Sequence, residues 1–365
     1  MRHDIGRLVN TINRVGIQNI ALLSRLTGMP VETVRFTVKK RFPELGLFVG
    51  LQMDYDRIGL QRNFTVLDFA PEALEFVPEL LRRLAKVALL TYYSREILQN
   101  RYIANFTIPI ALKKDFYAFL GQLVKEKIIL EYKIEAVEWI RNIALRSEYY
   151  DFNESKWDID WEKVGRLKEP PPAPVPAEPL RSPDVDLIDI LLIKELELQA
   201  WRSIAEIGRK LGINDRTIRW HYDKHVASLI NSFFVHRLGL GAKGLTKLVG
   251  LIHEFHDLSK TQLDHIRLLF NNFPFTWNEG GRDNGYYRVV STVPNEHFVE
   301  ALQFLNKHLA HHVAKWQTYT LDLSFSCSYT IPYENFKDKS GWFFNPEEAM
   351  ESVLEVMKVK KIRGS

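Results

Sequence analysis

The sequence states one pattern twice, and that repetition constrains the fold more than any other feature. Residues 20–42 read IALLSRLTGMPVETVRFTVKKRF and residues 204–226 read IAEIGRKLGINDRTIRWHYDKHV, aligned without a gap at an offset of 184. Seven positions are identical: Ile20/Ile204, Ala21/Ala205, Arg25/Arg209, Gly28/Gly212, Thr33/Thr217, Arg35/Arg219 and Lys40/Lys224. Each copy is an amphipathic segment, a glycine-centred turn and a second amphipathic segment with basic outer positions. That is the pattern of a helix-turn-helix, which places its second helix in the major groove of DNA.

The flanking sequence repeats as well. Ile5, Leu8, Val9 and Ile12 recur at helical spacing and predict a helix over 4–15, followed by helices over 17–26 and 31–42. Alternating segments at 47–53 and 63–68 read as strands, with further strands at 87–93, 102–109 and 128–137 and helices at 76–86 and 116–125. From Asn63 onward the order is βαββαβ. The second copy predicts helices at 185–196, 203–211 and 215–227, a wing-like strand at 233–238, then strands and helices in the same order through Tyr329. Even the trailing segments echo each other, with Tyr150, Phe152 and Trp157 answered by Tyr333, Phe336 and Trp342. Between the copies, 170–183 holds seven prolines. Proline lacks an N–H and fixes φ, so this stretch predicts an extended spacer.

The expected fold class is therefore α+β: two winged helix-turn-helix domains, each followed by a ferredoxin-like βαββαβ domain. The boundaries are 1–60 and 61–165 for the first unit, 166–184 for the linker, 185–245 and 246–335 for the second unit, and 336–365 for a C-terminal helical extension with a basic tail (Lys358, Lys360, Lys361, Arg363).

Charge placement supports a polyanionic partner. The chain carries a formal net charge of +4, but 2–42 holds eight Lys/Arg against Asp4 and Glu32, and 202–237 holds seven against Glu206, Asp215 and Asp223. Neutralising phosphates requires such a local excess. No apolar run reaches the roughly 20 residues that span a bilayer. A single cysteine, Cys327, excludes an intrachain disulfide and a cysteine-based zinc cluster. A cytoplasmic protein with no membrane association is expected.

Asp186-Leu187-Ile188-Asp189-Ile190-Leu191-Leu192, then Ser203 to Ile213, and Gly46 to Leu60 resemble, respectively, the opening, the helix-turn-helix and the exit segment of the Lrp/AsnC (feast/famine) family of bacterial and archaeal transcription regulators. The resemblance covers nearly the whole chain, once per unit. It implies double-stranded DNA as partner, an amino-acid-like effector, and either a homo-oligomer (dimer) or a pseudo-dimer within one chain. Family members carry one reader per chain, so two fused units are a departure.

On this reading the DNA-contacting candidates are Thr33, Arg35, Thr37, Lys39 and Lys40 in the first unit, and Arg216, Thr217, Arg219, Trp220, His221 and Lys224 in the second. Arg35 and Arg219 are placed to pair bidentately with guanine. The two helices differ at most exposed positions, which predicts a site with unlike halves. The segment 278–287 resembles the family's effector-binding turn, making Gly281, Arg282, Asp283 and Tyr286 the effector candidates; the matching 93–101 lacks glycine. His253 and His256 lie three apart on a predicted strand and point to opposite faces. His308, His311 and His312 read as a solvated helix end, and neither metal nor cofactor is expected. Two other functions compete with a sequence-specific regulator. One is an architectural, nucleoid-type DNA-binding protein. The other is an enzyme like the siroheme decarboxylases, which share this architecture as paired units; their arginine-rich segment after the third helix is absent at 44–47 and 229–232. No nucleotide loop, carboxylate pair or nucleophile triad emerges, and no enzymatic activity is expected.

Overall fold

The computed structural model describes residues 4–166, 184–237, 248–283, 285–313 and 316–361. The proline-rich stretch 170–183, the end of the expected second wing at Leu238 and the tail beyond Lys361 lie outside the described residues, as do the side chains of Lys360 and Lys361.

The first unit opens with α1 (Asp4–Val15), α2 (Ile20–Thr27) and α3 (Val31–Phe36), and α3 runs on through a π-helical turn (Thr37–Arg41) into α4 (Phe42–Glu44). Local chemistry fixes the ends. Asn19 caps α2 by accepting from the N–H of Leu22 at 2.9 Å, and Gly28 ends it with φ +74°, a conformation a side chain would strain. Then follow β1 (Leu47–Met53), β2 (Leu60–Phe69), α5 (Val77–Val87), β3 (Leu90–Glu96), β4 (Arg101–Pro109), α6 (Lys113–Lys125), β5 (Ile129–Val137) and β6 (Trp139–Asn142). A short hairpin, β7 (Tyr150–Asp151) with β8 (Lys156–Trp157), leads to α7 (Trp161–Gly165).

The second unit repeats this order. It comprises α8 (Leu187–Leu198), α9 (Ile204–Leu211), α10 (Asp215–His221) with a π-helical turn (Tyr222–Val226), β9 (Ile230–Arg237), β10 (Leu248–Phe255), α11 (Lys260–Asn272), β11 (Thr276–Gly281), β12 (Tyr287–Pro294), α12 (Phe298–Leu309) and β13 (Gln317–Ser328). The hairpin β14 (Phe336–Lys337) with β15 (Gly341–Trp342) precedes α13 (Pro346–Lys361). Asn214 caps α10 through the N–H of Thr217, and Asp186 and Ser203 form capping boxes on α8 and α9. The chain is thus a mixed α+β protein. No helix among the described residues is long and apolar enough to cross a membrane.

The two units are interlocked rather than merely joined. The exit strands β1 and β9, one from each unit, pair antiparallel with each other from Leu47↔Arg237 to Met53↔Ile230. Gly50 permits this: a Cβ there would lie 2.5 Å from Cζ of Phe234. The remaining strands form one nine-stranded sheet in the order β5-β2-β4-β3-β13-β10-β12-β11-β6. It starts with β5 and finishes with β6, which only Glu138 separates, so the sheet returns on itself. β13 crosses likewise, pairing with β10 through its first half and with β3 through its second. Inside the closure Phe64, Val66, Ile103, Ile252, Tyr319 and Leu321 pack together.

The trailing segments are exchanged. Phe344, Met350 and Val353, from the end of the second unit, pack on α5 and α6 of the first, with the ring of Phe344 5.5 Å from that of Phe116. Val164 and Trp161, from the end of the first unit, pack on the second, with Trp161 5.2 Å from Phe304. Each trailing helix thereby packs on helices and strands of the opposite half of the chain.

Candidate functional site

A cavity of about 760 Å3 lies between the β1–β9 ribbon and the closed sheet. Its walls are partly apolar (Phe48, Phe234, Trp277, Val290) and partly polar (Gln52, Asn63, Asn105, Asn142, Asn278). The chain places two arginines there, Arg62 from β2 and Arg288 from β12.

Arg288 is the outlier. Alternation along β12 turns Tyr287 toward the helices and Arg288 to the inner side. It is 4% exposed, its Nε has no hydrogen-bond partner, and among the described residues no carboxylate lies within ion-pair distance. Its guanidinium faces the ring of Phe64 at 5.2 Å. Burial pulls its proton affinity below that of an ordinary arginine and the charge of Arg62 pulls in the same direction, while the charge of Glu254 pulls the other way. Two buried carboxylates of the same sheet, Glu254 and Glu279, are matched. Glu254 accepts from Tyr286, Tyr319 and Lys133 at 2.8–2.9 Å, and Glu279 pairs with Arg141 at 2.6 Å and Arg267 at 3.0 Å. Burying a guanidinium without an ion-pair partner is costly, and an anion in the cavity would offset that cost.

The other polar groups frame this charge. Arg62 stacks over the ring of Tyr55 at 4.0 Å, and the Tyr55 hydroxyl donates to Glu197, which also accepts from the N–H of Ile331 at 2.7 Å. Burial pushes both the Tyr55 hydroxyl and the Glu197 carboxyl up. Tyr92 faces the same space, and burial pushes its phenol up to about 12 despite the nearby Arg288, so it stays protonated at neutral pH. Carboxylate capture by an arginine beside a neutral proton donor is within the reach of this arrangement.

The sequence-predicted DNA-contacting residues do not all fall on one open face. Arg35, Lys40, Arg216, Arg219, Trp220 and Lys224 are exposed, and Thr33 and Thr217 are half-buried. Arg35 pairs with Glu32, and Arg219 lies 3.6 Å from Asp215. Two expectations are corrected. Thr37 is 5% and His221 is 5% exposed, because these equivalent positions lie three residues beyond the core residues Val34 and Ile218 and share their inward stripe. Lys39 is exposed but engaged, 3.5 Å from Glu206 and 5.0 Å over the ring of Trp201 in the other unit.

The effector candidates do not line the cavity. Gly281 is buried beneath Trp139 of β6, and a Cβ there would meet the ring at 3.0 Å. Tyr286 is buried, with its hydroxyl on Glu254. Arg282 pairs with Glu135 at 2.9 Å, and only Asp283 is exposed. The strand β6 comes from the first unit, and local sequence around Gly281 carries no sign of its arrival. His311 and His312 are exposed, as expected of a solvated helix end, and His312 also lies against His265 with tilted rings whose centroids are 3.5 Å apart. Arg62, Tyr92 and Arg288 were not foreseen. A signal existed for one of them: Arg288 interrupts the apolar run Tyr286-Tyr287-Val289-Val290.

No protein-family model and no curated protein sequence matches the chain. Among solved structures, the siroheme decarboxylase NirDL in complex with an iron-uroporphyrin III analogue is similar along the full length. It has a TM-score of 0.54 at 8% identity and covers 97% of this chain and 100% of that one. An AsnC family transcriptional regulator from Agrobacterium tumefaciens covers 36% of this chain and 87% of its own at 13% identity, with a TM-score of 0.29. The leucine response regulatory protein LrpA of Mycobacterium tuberculosis covers 36% and 88% at 15% identity, with a TM-score of 0.27. The expectation that the chain is not an enzyme is thereby corrected, since the likeness that spans the whole fold is to an enzyme.

Proposed function

We propose that the cavity binds a large anionic ligand with several carboxylates, of the iron-tetrapyrrole class, and that the chain acts on it as a decarboxylase. One observation carries this reading: Arg288, buried in the cavity wall with no ion-pair partner among the described residues and with Arg62 adding like charge. The volume of about 760 Å3 suits a macrocycle. The full-length fold likeness to a siroheme decarboxylase agrees with it. Arg288 and Arg62 would hold ring carboxylates. On loss of CO2 from an acetate side chain the C–C bond electrons stay on the methylene carbon. That carbon takes a proton, which Tyr92, a neutral phenol in the wall that feels the charge of Arg288, would supply, and becomes a methyl group.

The test is titration of the purified chain with iron-uroporphyrin III, followed by absorbance, then mass analysis of the recovered pigment. Saturable binding near one per chain, weakened at least tenfold by Arg288→Met, and a product lighter by CO2 are expected. No saturable binding would reject the reading.

We also infer a second role on double-stranded DNA, with the three-helix units acting as two unlike winged helix-turn-helix readers and the βαββαβ runs as ferredoxin-like domains, bounded at 60, 165, 184, 245 and 335. Its support is the exposure of Arg35, Lys40, Arg216, Arg219 and Lys224 on equivalent helices. On this reading one chain is a pseudo-dimer. Gel shifts at rising salt test it: affinity should fall steeply, and Arg216→Ala with Lys224→Ala should flatten the slope.

A further inference from the structure

We propose that Asp189, His221 and His225, with Asp186 as a fourth donor, form a binding site for a divalent transition-metal ion of the Zn2+ type in the second three-helix unit. His221 and His225 lie four apart where α10 runs into its π-helical turn, and both aim Nδ1 at one carboxylate on α8. His221 Nδ1 is 2.9 Å from Asp189 Oδ1, and His225 Nδ1 is 2.8 Å from Asp189 Oδ2. Asp186 Oδ1 stands 3.6 Å from His221 Nδ1. The donor atoms of Asp189, His221 and His225 all lie within 4.8 Å of one another. Imidazole nitrogen with carboxylate oxygen is a ligand set for Zn2+, with bonds of about 2.0–2.2 Å. Tetrahedral bonds of that length set donors about 3.3 Å apart, so the trio would open by a few tenths of an ångström.

The scaffold itself does not require these groups. At the offset of 184 the first unit has Ile5, Thr37 and Arg41 where the second has Asp189, His221 and His225. Both bundles pack the same apolar ladder beside them: Leu8, Val9 and Ile12 against Leu192, Ile193 and Leu196, all 0% exposed. The second unit has thus placed a carboxylate of 0% exposure where the first has an isoleucine. The Asp189 carboxylate also closes the capping box of α8, but that role calls for neither His221 nor His225.

The surroundings orient the trio as supporting groups orient metal ligands. The N–H of Asp186 donates to Asp189 Oδ2 at 3.0 Å, which fixes the carboxylate and leaves each oxygen a lone pair. The indole of Trp220 packs against both imidazoles, with ring centroids 5.0 and 4.9 Å away. His225 is the open side, its side chain 20% exposed, which gives an ion a way in. Bound there, the ion would staple α10 to α8 and set the position of the helix that carries Arg216 and Trp220.

The experiment uses the full chain, stripped with a chelator and dialysed. Zn2+ is titrated by calorimetry, with elemental analysis after dialysis, and Co2+ is added separately to read the visible bands of a four-coordinate site. The expected result is one ion per chain, Co2+ bands, and a higher melting temperature with Zn2+. His225→Gln should weaken binding at least tenfold. His312→Ala, in the separate His265–His312 pair, should change nothing. Two results would overturn the proposal: a wild-type chain that retains no Zn2+ and develops no Co2+ bands, as two plain hydrogen bonds to Asp189 would give, or binding that survives His225→Gln and disappears in His312→Ala. The wild-type measurement does not depend on any variant folding.

Discussion

Arg62 and Arg288 come from opposite halves of the chain and line the same cavity, and the charge of Arg62 is one reason that Arg288 holds its proton less tightly than an ordinary arginine. Like charges placed together in a wall make a site for an anion and a weak point without one. Replacing Arg288 by methionine should therefore separate two properties. Affinity for a polycarboxylate should drop at least tenfold, while the melting temperature of the ligand-free protein should hold or rise. A ligand-free variant that melts well below the wild type would show that Arg288 is matched by the protein itself.

Two buried histidines set an acid limit. Burial pulls His236 and His253 down to about 4. In the unfolded chain they titrate near 6.5, so between about 6.5 and 4 the unfolded state binds more protons than the folded one. Stability should rise with pH across that window, and what these residues contribute should be lost as pH falls through it. His253→Phe keeps a ring against Phe270, 5.4 Å away, and should flatten the slope of melting temperature against pH between 4 and 6.5 by about half. An unchanged slope would assign the acid sensitivity elsewhere.

The exchanged tail should matter as much as a core element. Phe344 is 8% exposed and meets Phe116 at 5.5 Å and Phe119 at 5.7 Å. Phe344→Ala should cost about 3–5 kcal/mol in urea unfolding. A loss below about 1 kcal/mol would mean that α13 docks without holding the sheet.

Gly50 and Phe234 should be coupled. Because a Cβ at Gly50 would meet the Phe234 ring at 2.5 Å, Gly50→Ala should destabilise by about 1–3 kcal/mol. Phe234→Leu in the same chain should recover part of that loss, and additive effects in a double-mutant cycle would disprove the contact.

The repeat, the order of elements and the main helix ends were legible because each rests on local chemistry. Glycine at 28 and 212 and apolar spacing in α1 and α8 are visible within a few residues, whereas the caps Asn19 and Ser203 fall inside the expected helices, so α2 starts at Ile20 rather than at 17. What was not legible depends on distant chain. Nothing near Gly281 announces that β6 will cover it, and nothing near Leu47 announces that its partner is Arg237. Thr37 and His221 were misplaced for a smaller reason. Polar residues on an inward stripe look exposed by composition, although their spacing from Val34 and Ile218 marks them as buried. The cavity was invisible in the sequence because Arg62 and Arg288 lie far apart along the chain and meet only when the sheet closes.

That closure has an evolutionary reading. Because β5 and β6 serve both ends of the sheet, and α7 and α13 each cover the other half, neither half carries a complete set of its own parts. Cutting the chain between 166 and 184 would leave two fragments that each lack what the other holds. They would behave as obligate heterodimer subunits, stable only when made together. Carried on one chain, the halves stand at a ratio of one to one, and Arg62 of one half always meets Arg288 of the other.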